Sequence, residues 1–345
     1  MKFLRDLNFA IDNVIREIKN DKNMQNSAYL HFIRNSMDII CNKVSYCVEN
    51  TNREIPIIHE DKIFEIILSF FQSIDNDFYD KIDKILHNKY PNTKTYIYDF
   101  HNDDPKELTQ YSIHYFDGKA EIFFPLGYKM SKEKLQDIRA KYGKDFYTLD
   151  DLYSIVHELS HLLDINPEKF TREPCSTRDM LAEVTPGVFE NLLTDFLLKN
   201  EFFDKDSIID KQNSTNNKLL THAHLTRLKL LLAEIKKNKG IISKEDIINI
   251  MESESVDNNR FQELVYLIAY SDTNITTGKR YAFSRFCSSI IYEKCKSSSN
   301  GNIYLLKKYL NDNSENIPYT DILKSFGIDF SRDITLAPKS DEHIK

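Results

Sequence analysis

Between Asp151 and Asp164 the chain reads DLYSIVHELSHLLD, and this stretch narrows the possible folds more than any other. Leu152, Ile155, Val156, Leu159, Leu162 and Leu163 share one arc of a helical wheel, while Ser154, His157, Glu158 and His161 share the opposite arc. Such a helix buries one side in a core and turns the other toward a cleft or solvent. Residues four apart on a helix lie one above the other, so His157 and His161 can aim their imidazoles at one point, with Glu158 beside them. Two histidines and a carboxylate in this H-E-x-x-H spacing suit a single divalent cation. Thr148 followed by Asp151 is an N-terminal capping pattern, which predicts a helix starting near Leu149. A surface helix carrying two incidental histidines would show the same pattern, so the surrounding chain has to discriminate.

That surrounding chain favours helices. Only 8 Gly and 9 Pro occur in 345 residues, so long stretches are free of the residues that interrupt helices. In residues 3–19, Phe3, Leu4, Leu7, Ala10, Ile11, Val14, Ile15 and Ile18 recur at helical spacing. Residues 27–49 and 60–90 read in the same way, with Pro56 and Pro91 as breaks. Ser112 to Phe124 differs: Asp117-Gly118 sits between two short runs of β-type residues, a signal for a two-residue hairpin. An exposed edge of such a hairpin can hold an extended peptide or simply cap the helical body. A second helical pattern runs from Asp179 to Lys199, with Pro186 expected to kink it near Glu183. Residues 204–218, rich in Asp, Asn, Ser and Lys, read as a linker. Residues 219–237, 244–252, 259–270 and 280–295 read as helices, and 271–278 as a loop. The expected architecture is mainly α with a small β-hairpin or sheet. It divides into an N-terminal helical layer (1–105), a core holding the hairpin and the His157 helix (106–200) and a C-terminal helical region (201–345).

A formal net charge of −7 argues against nucleic acid as the main partner. Charges interrupt every apolar run of the first twenty residues, so no signal peptide is expected there. No stretch approaches the roughly 18 uncharged apolar residues that span a membrane. Five scattered Cys with no C-x-x-C pair read as reduced thiols, pointing to the cytoplasm. Export by a signal-independent route is compatible with all of this.

A catalytic metal of this kind commonly has three protein ligands and one open position. The form with Gly at 164 and His at 167 fails here, because those positions hold Asp164 and Pro167. A carboxylate from the following segment is the alternative, with candidates Glu168, Glu173, Glu183 and Glu190. Glu183 as ligand, with Glu190 seven residues on along the same face to orient a histidine, is the economical assignment. Asp151 and Asp164 are further candidates for orienting a ligating histidine.

These residues resemble the thimet oligopeptidase and oligoendopeptidase F metallopeptidases. The zinc helix of that family reads D-x-x-T-L-x-H-E-x-G-H, and Asp151-Leu-Tyr-Ser154-Ile155-Val-His157-Glu158-Leu-Ser160-His161 is similar, with Ser160 in place of Gly. Glu183-Val-Thr-Pro-Gly-Val-Phe-Glu190-Asn191 resembles the segment that carries the family's third ligand. Arg280-Tyr281-Ala-Phe-Ser284 resembles the end of its Tyr-rich C-terminal segment. The resemblance spans about residues 113–200 and, weakly, 265–295, and family members are usually longer.

It implies a zincin-like metallopeptidase fold of the gluzincin type, in which His157, His161 and Glu183 hold Zn2+. Glu158 would act as general base, and Tyr281, ahead of Tyr270 and Tyr266, would donate to the oxyanion. It also implies a peptide or protein substrate, oligopeptides first. Two rival expectations remain: an effector-type protease that cuts one particular protein, and a helical binding protein with a vestigial metal site.

Overall fold

Unbroken apolar stripes and scarce Gly and Pro produce a chain built mainly of helices. The structure, a computed structural model, describes residues 2–21, 25, 27–43, 45–47, 56–99, 112–116, 119–126, 132–143, 146–163, 183–253, 261–271, 275–297, 302–314 and 319–327. In order these form α1 (Lys2–Asn20), α2 (Ser27–Lys43), β1 (Ile57–His59), α3 (Glu60–Ile74), α4 (Asn76–Leu86), β2 (Thr93–Asp99), β3 (Ser112–Phe116), β4 (Lys119–Leu126), α5 (Lys132–Tyr142), β5 (Phe146–Thr148) and α6 (Leu149–His161). There follow α7 (Val184–Asn200), α8 (Lys205–Lys239), α9 (Lys244–Ser253), α10 (Phe261–Tyr270), α11 (Ile275–Ser297), α12 (Asn302–Ser314) and α13 (Tyr319–Ser325).

Where the sequence suggests three consecutive blocks, contacts group the chain into two units made of separate stretches. One comprises Met1–Tyr46, Asn216–Phe286 and Leu323–Lys345; the other comprises Cys47–Thr215 and Cys287–Ile322. In the first unit α1 packs on α10, burying Leu7, Ile11 and Val14 of the former and Val265 and Ile268 of the latter. Asn8 ties the chain after α8 to α1: its amide donates to the Ile242 carbonyl at 3.0 Å, and its oxygen accepts from the Ile242 N–H at 2.9 Å. Gly240, at φ 82°, ends α8 in the left-handed conformation that residues with a side chain rarely adopt.

The second unit carries the His157 helix. Its core is aromatic: Phe70 and Phe71 of α3, Phe78 of α4 and Phe189 of α7 lie with ring centroids 5.0 to 6.4 Å apart, and Phe196 joins Phe70 at 5.6 Å. Leu152, Ile155, Val156 and Leu159 of α6 are fully buried, so the apolar arc of that helix faces a core. β4 is the central strand of a three-stranded sheet in the order β2-β4-β3, parallel to β2 and antiparallel to β3. The register pairs Phe116 with Lys119, as a two-residue connection requires; Asp117 and Gly118 lie outside the described residues. β1 and β5 form a separate antiparallel pair.

Several expectations change. Residues 204–218 are not a linker but lie largely within α8. Asp204 starts that helix by accepting from the N–H groups of Asp206 and Ser207 at 3.1 and 3.0 Å, and Ile208 is fully buried. Polar composition without a Gly or Pro does not stop a helix that is capped and packed. α11 starts at Ile275, inside the expected 271–278 loop. Residues 60–90 hold two helices, divided at Asp75, whose carboxylate accepts from the Asp77 N–H at 2.9 Å. β2 falls within the expected N-terminal helical layer. Its run of β-branched and aromatic residues, Thr93, Thr95, Tyr96, Ile97 and Tyr98, is the signal that marks it.

Candidate metal centre

The site is built where α6 and α7 run side by side. α6 has a fixed origin. Thr148 closes β5, and the N–H of Leu149 donates to the Pro56 carbonyl at 3.1 Å. The Thr148 hydroxyl accepts from the Asp151 N–H, while the Asp151 carboxylate accepts from the Thr148 N–H and hydroxyl, both at 2.8 Å. This reciprocal cap satisfies buried donors of the first turn. It also places the Asp151 carboxylate at the start of the helix, away from the orienting role considered for it. At the other end the Lys81 ammonium donates to the Leu162 carbonyl, next to His161. Ser160, where the resembled family has Gly, is fully buried and returns its hydroxyl to the Val156 carbonyl at 2.6 Å.

α7 begins at Val184, so Glu183 occupies the position just before the helix, with φ −94° and ψ 4°. Pro186 therefore lies in the first turn of α7, where a missing N–H removes no helical bond. Residues 179–182 of the helix expected over 179–199, on the far side of the kink expected near Glu183, lie outside the described residues. Residues 164–182, which include Asp164, Glu168 and Glu173, lie outside the described residues.

Three of the expected donors converge. Glu183 Oε2 lies 3.1 Å from His157 Nε2 and 3.9 Å from His161 Nε2. One donor atom each from His157, His161 and Glu183 fall within 4.8 Å of one another. Ligand bonds of about 2.0–2.2 Å at tetrahedral angles put ligand atoms about 3.3–3.6 Å apart, so the spacing fits one small cation. The two imidazoles stand nearly perpendicular, with centroids 5.0 Å apart. Two imidazoles and a carboxylate also match the donor preferences of a borderline divalent metal. The group could bind a metal.

Glu190 completes the arrangement. Its Oε1 accepts from His157 Nδ1 at 2.7 Å, which fixes the tautomer and leaves Nε2 to face Glu183. Without a cation the pocket favours a proton. Burial disfavours the charged imidazole, but its hydrogen bonds to the carboxylates of Glu183 and Glu190, with the charges of Glu190 and Glu158, outweigh it and raise the His157 pKa to about 10. Glu183 and Glu190 are buried, while His157, Glu158 and His161 are partly exposed, so the donors are held from one side and reachable from the other.

Tyr281 belongs to α11 in the other unit, where its ring stacks on His222 at 5.9 Å. Tyr266 and Tyr270 lie on α10 with their rings 4.8 Å apart, and the Tyr270 hydroxyl donates to Asp6. His222 and His224 face different neighbours, Tyr281 and Tyr46. Lys81 was not visible as a site residue, because nothing local in the sequence links it to a helix end 81 positions away.

No family model matches the chain, and no curated protein matches it. A solved structure does: the crystal structure of a candidate peptidase from Chlamydophila abortus superposes with a TM-score of 0.63 over 96% of this chain, at 15% identity. The chain covers 58% of the length of that structure. At this identity the likeness concerns the fold, which is mainly α with a small β element.

Proposed function

We propose that this chain is a zinc-dependent metalloendopeptidase acting on oligopeptides. One observation carries the proposal: His157, His161 and Glu183 bring one donor atom each to within 4.8 Å of one another. The fold shared with a candidate peptidase is in keeping with it.

A zinc ion held by His157, His161 and Glu183 would supply Lewis acidity, polarising a peptide carbonyl and lowering the pKa of a coordinated water toward neutrality. The chain's own groups do the rest. Glu190 keeps the proton of His157 on Nδ1, so that Nε2 offers its lone pair. Glu158, adjacent to His157 on α6, accepts a proton from the attacking water and passes it to the leaving nitrogen as the C–N bond breaks. Tyr281 is assigned the donor role toward the developing oxyanion on the resemblance alone.

Glu158→Gln separates chemistry from metal binding. Zinc content should stay at the wild-type level while cleavage of quenched fluorescent peptides falls by about 10²–10⁴-fold. Wild-type turnover in a zinc-loaded Glu158→Gln protein would overturn the assignment. A parallel panel of intact proteins tests substrate size: cleavage of one intact protein but of none of the peptides would favour a dedicated protease.

A further inference from the structure

Tyr153, His157 and His161 follow one another at four-residue steps along α6. Glu183, Glu190 and Thr194 lie along one side of α7 and the residue before it. The two rows meet in three rungs: His161 with Glu183, His157 with Glu190, and Tyr153 with Thr194, whose hydroxyl oxygens are 2.7 Å apart. Partners rise in number along α6 as they fall along α7, so the helices are antiparallel here. The first two rungs belong to the metal site proposed above; the third does not.

That third rung has a direction. The Thr194 hydroxyl donates to the Glu190 carbonyl oxygen at 2.9 Å. A hydroxyl carries a single proton, so in the rung Tyr153 Oη–H is the donor and Thr194 Oγ1 the acceptor. Tyr153 is thereby linked, through one side chain, to the backbone of the residue whose carboxylate holds His157. Both partners are 5% exposed, so little water competes for the bond. The Lys211 ammonium lies 5.5 Å from the Tyr153 ring centre and pairs with Asp150, which holds the ring from a second side.

We propose that Tyr153 is a positioning residue for the metal centre: through Thr194 it sets the axial register of α7 against α6. The inference rests on the metal-site reading of the preceding section. The ring cluster around Phe189 is attractive but weakly directional, so it tolerates small slides of one helix along another. A slide by one residue displaces α7 by about 1.5 Å. Hydrogen-bond lengths tolerate only about half an ångström, so a fraction of that slide would separate Glu190 from His157 Nδ1. A buried directional bond one helical turn from His157 resists it.

The test uses the full chain with metal as the probe. Dissociation constants for Zn2+, from competition with a chromophoric chelator, and the visible absorption of bound Co2+ are measured for wild type, Tyr153→Phe, Thr194→Val, Thr194→Ser and Tyr292→Phe. Tyr292→Phe is the control. It deletes the same hydroxyl from a bond to α7 at Asp195, outside the ladder. Tyr153→Phe and Thr194→Val should weaken Zn2+ binding about tenfold and alter the Co2+ spectrum. Thr194→Ser should restore both, and Tyr292→Phe should leave both at wild type even where it lowers the melting temperature. Should Tyr153→Phe fail to fold, the Val and Ser substitutions at Thr194 decide by the same criteria. Wild-type affinity and spectrum in the hydroxyl-deleted variants, or losses no larger than that of Tyr292→Phe, overturn the inference. A wild-type protein that binds neither ion removes the metal site itself, and the inference with it, before any substitution is compared.

Discussion

Glu190→Gln keeps the side-chain volume and an acceptor oxygen for His157 Nδ1 but removes a charge. The bond it changes is short, at 2.7 Å, and Glu190 is only 9% exposed. A charge-assisted hydrogen bond contributes about 1.5–3 kcal/mol and a neutral one about 0.5–1.5 kcal/mol. The difference, about 1–1.5 kcal/mol, corresponds to about tenfold in metal affinity. Protons oppose part of this. In the metal-free protein burial works against the charged imidazole, yet Glu183, Glu190 and Glu158 lift the His157 pKa to about 10, so a metal binding near neutrality must displace a proton. Removing one of those carboxylates lowers the pKa and eases the displacement. The substitution should therefore weaken zinc binding about tenfold near pH 10, where His157 is already losing its proton, and less than that near pH 7. Competition titrations against a zinc chelator across this range provide the assay. Unchanged affinity throughout, or a loss that is largest near pH 7, would refute the role given to Glu190.

Zinc uptake by the metal-free protein near neutrality should release the His157 proton, measurable by calorimetry in buffers of different ionisation enthalpy; heats independent of the buffer would contradict this. The folded pKa lies above the ordinary imidazole value of 6.5, so without metal its stabilising effect is complete below about pH 6.5 and is lost as the pH rises through about 10. The melting temperature of chelator-treated protein should fall across that window. Phe189→Ala removes a fully buried ring from the Phe70, Phe71 and Phe78 cluster and should cost about 3–5 kcal/mol in urea unfolding. Tyr281→Phe should lower kcat by about 10²–10³-fold with zinc content unchanged, and an unaltered kcat would remove Tyr281 from the mechanism.

The parts of this arrangement that are local in sequence could be read from it. Thr148 and Asp151 form the expected capping box at the start of α6. The four-residue step between His157 and His161, and the seven-residue step from Glu183 to Glu190, are helical periods, and helices convert period into position. The expected two-residue turn at Asp117-Gly118 agrees with the register of β3 and β4. What composition suggested without tertiary context fared worse. Residues 204–218 look like a linker, yet Asp204 caps them and Lys211 pairs with Asp150, a contact that no local pattern encodes. Pro186, a helix breaker by residue type, falls in the first turn of α7, where it has no helical bond to break. The parallel pairing of β2 with β4 joins strands distant in sequence and has no turn signal to announce it. Tyr153 and Thr194 carry no local signal of their own, because which pair meets depends on the register of α6 against α7.

Zinc K-edge absorption spectroscopy on purified wild-type protein and on Glu183→Ala is the most direct test of whether α6 and α7 form a metal centre. We expect one zinc per wild-type chain, coordinated by two imidazole nitrogens and a carboxylate oxygen, and loss of zinc, or of that oxygen from the spectrum, in Glu183→Ala. A wild-type chain that holds no zinc, or a spectrum unchanged when Glu183 is removed, would contradict the account.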